Sequence, residues 1–263
     1  ASCLTGIPWS FTAHRWDIHE NNLLLEKVKS ATFIRAINQN GKNEIINIIK
    51  EKSLNHKIFV IHMGVEIPST TQRHPSSNGI FTILCAANLV PVKGHKYLIE
   101  ACNILQKNGI DFKCYIAGEG YLEKEMIAKV NKLKLNNRIQ FLGKLPHDRL
   151  IKMFEEKTVD LVVLPSIVTT SGEKEGIPVT LMEAMAHNLP VISTSTGGIP
   201  ELIKDAGVLV EAGNPTQLAI CIIKFITNRD YYTQISESCR EKVADEYNIS
   251  NIVKKILKKI RNK

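Results

Sequence analysis

From residue 80 to residue 210, short apolar runs alternate with stretches of helical spacing, and that alternation leaves few folds open. Runs at 81–87, 112–117, 138–142, 159–165, 191–194 and 207–210 read as six strands. Between them, 94–107 carries apolar side chains at Tyr97, Leu98, Ala101 and Leu105 and is closed by Asn108-Gly109, which predicts a helix with a glycine stop. A charged helix to about Lys134, a Pro-initiated helix over 146–156 and a helix over 179–187 complete the alternation, and two more helices are expected at 215–228 and 229–246. The connections are short, and parallel neighbours need crossover helices that bury both sheet faces. The expected class is therefore α/β with a parallel sheet. On such a sheet ligands bind beyond the carboxyl ends of the strands, so the chemistry belongs in the loops that follow them.

Composition supports a packed core: 44% of the 263 residues are hydrophobic and 23% charged. This excludes a disordered chain. The run 161–168 falls far short of the ~20 apolar residues a membrane-spanning helix needs. Residues 1–67 read as a partial α/β unit, with strands at 7–13, 31–37 and 58–61 and helices at 22–29 and up to about Lys52. That is little chain with which to close a sheet of its own. Residues 68–79, rich in Ser, Thr and Pro, have linker composition. The expected organisation is thus 1–67, a linker over 68–79, a Rossmann-like domain over 80–245, and a basic helix over 246–263. The six cysteines, at 3, 85, 102, 114, 221 and 239, show neither C-x-x-C spacing nor partner histidines, so a zinc site is not expected and reduced core thiols of a cytosolic protein are. The chain starts at Ala1, with no signal-peptide pattern, and an N-terminal truncation is expected.

Five strand-end loops carry unusual residues. Asn88 to His95 places Lys93 and Gly94 at a helix start, where free N–H groups and the helix dipole favour an anion. Gly118 and Gly120 permit either a ligand's close approach or a tight turn. Glu175-Gly176-Ile177-Pro178-Val179 leads into a helix that carries Glu183, eight positions after Glu175. A carboxylate in so apolar a helical stretch is costly without a partner, and a ribose diol is a suitable one. Thr194 to Glu201 offers hydroxyls and two glycines. His14 follows the first strand, at the sheet's carboxyl edge.

Taken together these residues resemble the retaining glycosyltransferases of family four, of the exopolysaccharide and colanic-acid type. The resemblance rests on the E-x(7)-E motif, met here by Glu175 and Glu183 with Ala184-Met185-Ala186 following, and is strongest over 81–210. It implies a GT-B fold: a Rossmann-like, donor-binding C-terminal domain and a partial Rossmann-like N-terminal domain, with part of a full enzyme preceding Ala1. It implies that Glu175 lies beside the transferred sugar and that Glu183 holds the nucleotide ribose. The backbone of Gly176, Ile177, Pro178 and Val179 would touch sugar hydroxyls and phosphate, and Lys93 would meet the diphosphate. Gly118 and Gly120 would lie near the base, and His14 near the transferred sugar. At Asn88 the family pattern has an arginine, so one forked cation is lost, which Arg15 or another cation would have to offset.

The expected partners are a nucleotide-diphosphate sugar and a glycan or polyprenyl-linked acceptor, with no cofactor and no metal. Two alternatives remain: a catalytically inactive nucleotide-binding fragment and, less compatible with the E-x(7)-E placement, a sugar epimerase of related fold. The formal charge of +8 includes six basic residues between Lys254 and Lys263. They are not interleaved with aromatic residues and match no nucleic-acid reader, so no nucleic-acid partner is expected. Apolar positions at Ile249, Ile252, Val253, Ile256, Leu257 and Ile260 make this helix amphipathic, suited to packing on the N-terminal domain or to peripheral contact with the inner face of a membrane. The expected location is the cytoplasm.

Overall fold

The computed structural model describes residues 6–14, 17–18, 20, 23–69 and 79–261. Arg15, Cys3 and most of the expected linker lie outside them. The chain divides into two compact units, 1–64 with 246–263, and 65–245.

The second unit is built on six parallel strands: β4 (Phe81–Ala86), β5 (Phe112–Ala117), β6 (Ile139–Gly143), β7 (Leu161–Leu164), β8 (Val191–Thr194) and β9 (Val208–Val210). Their order in the sheet is β6-β5-β4-β7-β8-β9. β7 and β8 are buried at every position, as strands covered on both faces must be. The edge strands β6 and β9 are only partly buried. Helices α3 (His95–Lys107), α4 (Glu123–Lys132), α5 (His147–Glu155), α6 (Val179–Ala186) and α7 (Ile199–Ile203) make the crossovers, and α8 (Pro215–Thr227) and α9 (Arg229–Glu246) follow β9. α3 buries Leu98, Ile99, Ala101, Cys102 and Leu105 along one face and stops at Gly109, whose φ of 70° suits glycine. In α8, Pro215 opens the helix and the Asn214 side chain accepts from the Gln217 N–H at 2.9 Å. The chain runs outward from β4 toward β6 in one half of the sheet and from β7 toward β9 in the other. The β4/β7 junction is therefore the switch point at which a crevice opens.

The first unit holds a parallel three-stranded sheet in the order β1 (Phe11–Ala13), β2 (Ile34–Ala36), β3 (Ile58–Val60). Helices α1 (Leu24–Ser30) and α2 (Gln39–Ile49) belong to it, and Leu24, Val28, Ile34, Ile45 and Ile58 fill its core. The C-terminal helix α10 (Ile249–Arg261) is part of this same unit. Gly64 lies so close that a Cβ there would stand 2.7 Å from the Ile249 Cα, and the Lys259 ammonium sits 3.4 Å from the centre of the Phe59 ring. Two local expectations need correction. The first strand is Phe11–Ala13 rather than 7–13, because its ladder with β2 covers only those three positions and Pro8 has no N–H to give. α2 ends at Ile49, where Lys50 turns left-handed (φ 51°), and a 3-10 turn (Lys52–Lys57) precedes β3.

Among the described residues five cysteines are free; Cys85, Cys102, Cys114 and Cys239 are buried and Cys221 is half-buried. Burial raises the Cys239 thiol to about 12, so it behaves as a small apolar residue rather than a reactive one.

Candidate functional site

The loops after β4, β5 and β7 are laced together by their own backbones. Leu89 N–H donates to the Glu119 carbonyl at 2.9 Å, and Ile167 N–H to the Val92 carbonyl at 2.9 Å. The chains pass so closely that a Cβ on Gly118 would fall on the Ala87 carbonyl, one on Gly120 on the Leu89 carbonyl, and one on Gly94 on the Pro165 carbonyl. The glycine demand at these positions comes from strand-end loops crossing one another, and at Gly118 also from a φ of 140°.

This lacing delivers Lys93, the last residue of a short 3-10 turn (Pro91–Lys93), to the loop after β7. Its ammonium donates to Glu175 Oε2 in a close ion pair, with the two side chains 21% and 14% exposed. The Glu175 backbone is fixed from the other side: the Gly198 N–H donates to its carbonyl at 3.0 Å, and Gly197, with φ 56°, leaves no room for a Cβ beneath that carbonyl. The 194–201 segment thus serves as the bed on which Glu175 lies. Gly176 differs from the laced glycines, since no atom stands within 4 Å of where its Cβ would be. Pro178 caps α6, and Val179 at its start is exposed. No side chain caps the first N–H groups of α6, which starts four residues after Glu175.

Glu183, one turn into α6, is 13% exposed, and its Oε1 lies 2.7 Å from His147 Nε2. The sequence predicted that this acid needs a partner, and the partner in the protein is an imidazole that the sequence did not single out. His147 is the first residue of α5, directly after Pro146 and the β6 end. It belongs to the same class of strand-end loop as the other candidates, which is the signal that could have found it. The His187 ring lies 2.7 Å from the Glu183 carbonyl through Nδ1.

Asn88, Gly118, Gly120, Lys144, His147 and Thr180 line one cleft of about 620 Å³. That volume falls in the range of sites for cofactor-sized ligands. Lys144 adds a cation to this wall that sequence reasoning also missed. Under the loop, His95 at the start of α3 is 2% exposed, and neither ring nitrogen reaches hydrogen-bond geometry. Burial, and then the Lys93 charge, lower it to about 4, with the Ala87 backbone partly offsetting. It is a neutral, buried ring at ordinary pH. Among the described residues no three His, Cys, Asp or Glu side chains converge as a metal ion's ligands would. His14 follows β1 in the first unit, exposed, and its backbone N–H donates to Asp17 Oδ2 at 2.9 Å.

Residues 66–242 match the family described as Glycosyl transferases group 1. WcaL of Salmonella typhimurium, named for colanic acid biosynthesis as a glycosyltransferase, is 35% identical over 196 residues, covering 73% of this chain and 48% of that protein. AmsK of Erwinia amylovora, an amylovoran biosynthesis glycosyltransferase, is 33% identical over 195 residues, covering 73% of this chain and 47% of its own. The chain spans about half the length of these relatives. Among solved structures, HepE of Anabaena in complex with UDP superposes over 100% of this chain and 74% of its own with a TM-score of 0.82 at 20% identity. The fold is thus mixed α/β of the GT-B type. By the profile match and the two relatives, the chain belongs to the group 1 glycosyl transferase family.

Proposed function

We propose that the protein transfers a sugar from a nucleotide-diphosphate sugar to a glycan or lipid-linked acceptor, with retention at the anomeric carbon, in the synthesis of a surface polysaccharide. The observation that carries this reading is the Lys93–Glu175 ion pair, which joins the loop holding Asn88 to the one leading into α6, where Asn88 and Thr180 line a cleft large enough for a nucleoside. HepE, solved with UDP, and the polysaccharide-synthesis relatives support it.

In this reading the bond from the anomeric carbon to the diphosphate breaks with its electron pair going to the diphosphate. Positive charge develops on the sugar, as in the oxocarbenium state of glycosidases. Lys93 and the α6 N–H groups hold the departing charge, with no metal and no cofactor assigned a part. Glu175 and the backbone of Gly176, Ile177, Pro178 and Val179 orient the sugar, and the empty space over Gly176 is where that sugar fits. The acceptor hydroxyl adds to the face the diphosphate leaves and gives its proton to the departing diphosphate oxygen. Glu183 takes the ribose; Gly118 and Gly120 shape the pocket for the base. Asn88 gives up a forked cation here, and Lys144 on the same wall offsets part of that loss. His14 is assigned to the transferred sugar. Calorimetry with UDP, GDP and ADP tests the donor site, and the reading fails if none binds. Lys93→Ala or Glu175→Ala should lower the turnover of sugar transfer at least about tenfold, or ~1.4 kcal/mol.

The same chemistry favours a peripheral contact with an anionic lipid surface through α10. Val253, Leu257 and Ile260 form an exposed apolar stripe, flanked by Lys254, Lys255, Lys258 and Arg261 with no acid in the helix. A bilayer that is negative at its surface matches both features. Co-sedimentation with phosphatidylglycerol vesicles, but not phosphatidylcholine ones, is expected. It should be lost when 250–263 are deleted and when Val253, Leu257 and Ile260 are changed together to Ser. Unchanged binding in either variant dismisses the contact.

A further inference from the structure

His147 and Glu183 come from different elements, one opening α5 after β6 and the other lying in α6 after β7. They meet at 2.7 Å beside the cleft that His147 and Thr180 both line. An ionised carboxylate can only accept hydrogen bonds, so the imidazole must be the donor, with its proton on Nε2. One carboxylate oxygen, Oε1, is therefore already engaged by the protein itself. A free Glu side chain populates several rotamers, whereas this one, 13% exposed, is tied at 2.7 Å to the largely exposed His147 ring at the start of α5. What remains for a ligand is Oε2, in a fixed orientation.

We propose that His147 is a positioning residue that sets Glu183 for a vicinal diol, so that it decides how strongly the site distinguishes a ribonucleotide from its 2′-deoxy counterpart. The inference rests on the reading of Glu183 as the ribose acid and adds to it the residue that orients that acid. A pair of hydroxyls is recognised sharply only when the acceptor facing them is held still, because any rotamer freedom must be lost on binding. Removal of His147 should therefore weaken the ribonucleotide most and the deoxyribonucleotide least. A residue that merely supported the fold would weaken both alike.

The test is calorimetry of the whole chain with UDP, GDP and ADP and with their 2′-deoxy forms, for wild type, His147→Ala, His147→Gln and Glu183→Ala. In His147→Ala the ribonucleotide should lose about fivefold in affinity, and its preference over the deoxy form should fall toward that of Glu183→Ala. His147→Gln, whose amide can still donate, should recover most of the preference. An unchanged ribose preference in His147→Ala overturns the proposal. So does tighter ribonucleotide binding, which would mean that His147 only blocks the acid. If wild type binds no nucleotide at all, the donor reading falls and takes this one with it, whereas normal wild-type binding with an insensitive His147→Ala overturns this proposal alone.

Discussion

Glu175→Gln should produce opposite changes in two measurements. Glu175 neutralises Lys93, the cation assigned to the diphosphate. At ~4 Å between charge centres and an effective dielectric of ~20, such a pair attracts by about 4 kcal/mol. With the two side chains 21% and 14% exposed, solvent and salt screen part of that attraction. An arriving diphosphate must share Lys93 with the carboxylate and also feels its negative charge. Glutamine keeps the shape and a hydrogen-bonding oxygen but removes the charge. If about a third of the pair energy is recovered, a nucleoside diphosphate without sugar should bind about tenfold more tightly, or ~1.4 kcal/mol. Sugar transfer should meanwhile slow at least about tenfold, because the group that orients the donor has lost its charge. Calorimetry with the best-binding of UDP, GDP and ADP reads the first effect, and a coupled assay for released nucleoside diphosphate reads the second. A Glu175→Gln protein with wild-type thermal stability that binds the nucleotide no more tightly would refute the assigned competition for Lys93.

Gly197→Ala places a Cβ on the Glu175 carbonyl at a φ of 56°, so it should lower stability by roughly 1–3 kcal/mol and reduce nucleotide affinity; thermal unfolding and calorimetry check the two. His95 gives a pH dependence whose sign is fixed. The unfolded chain takes up a proton below about 6.5 and the folded one only near 4, so stability should fall as pH drops through that window. By pH 5 the loss should be about 2 kcal/mol, and His95→Leu should flatten that part of the slope in urea titrations.

Much of the second unit is legible in the sequence because turn residues bound its apolar runs. β5 and β8 fall at the expected positions, 112–117 and 191–194, and α3 ends at the expected glycine. The first unit is harder to read: β1 stops at three residues because pairing with β2 does, and the 3-10 turn over Lys52–Lys57 has no period to betray it. Lys93 and Glu175 were each visible as strand-end residues, but their contact spans 82 positions and follows from sheet order, which periodicity does not give. His147 was hidden because a histidine after Pro146 looks like an ordinary helix start. Its strand-end position marks it as a candidate, but its contact with an acid 36 positions away shows only in the structure.

The crossing loops at Gly94, Gly118, Gly120 and Gly197 turn the strand-end side of the sheet into a cross-braced block. Such a block can hardly be reshaped by lengthening one loop, since each strut pins its neighbour. A change of donor preference on this scaffold must come instead from side chains standing above the block, at Lys144, His147 and Thr180, or from filling the open ground over Gly176. Four positions, rather than four loops, are where a new sugar nucleotide would be selected.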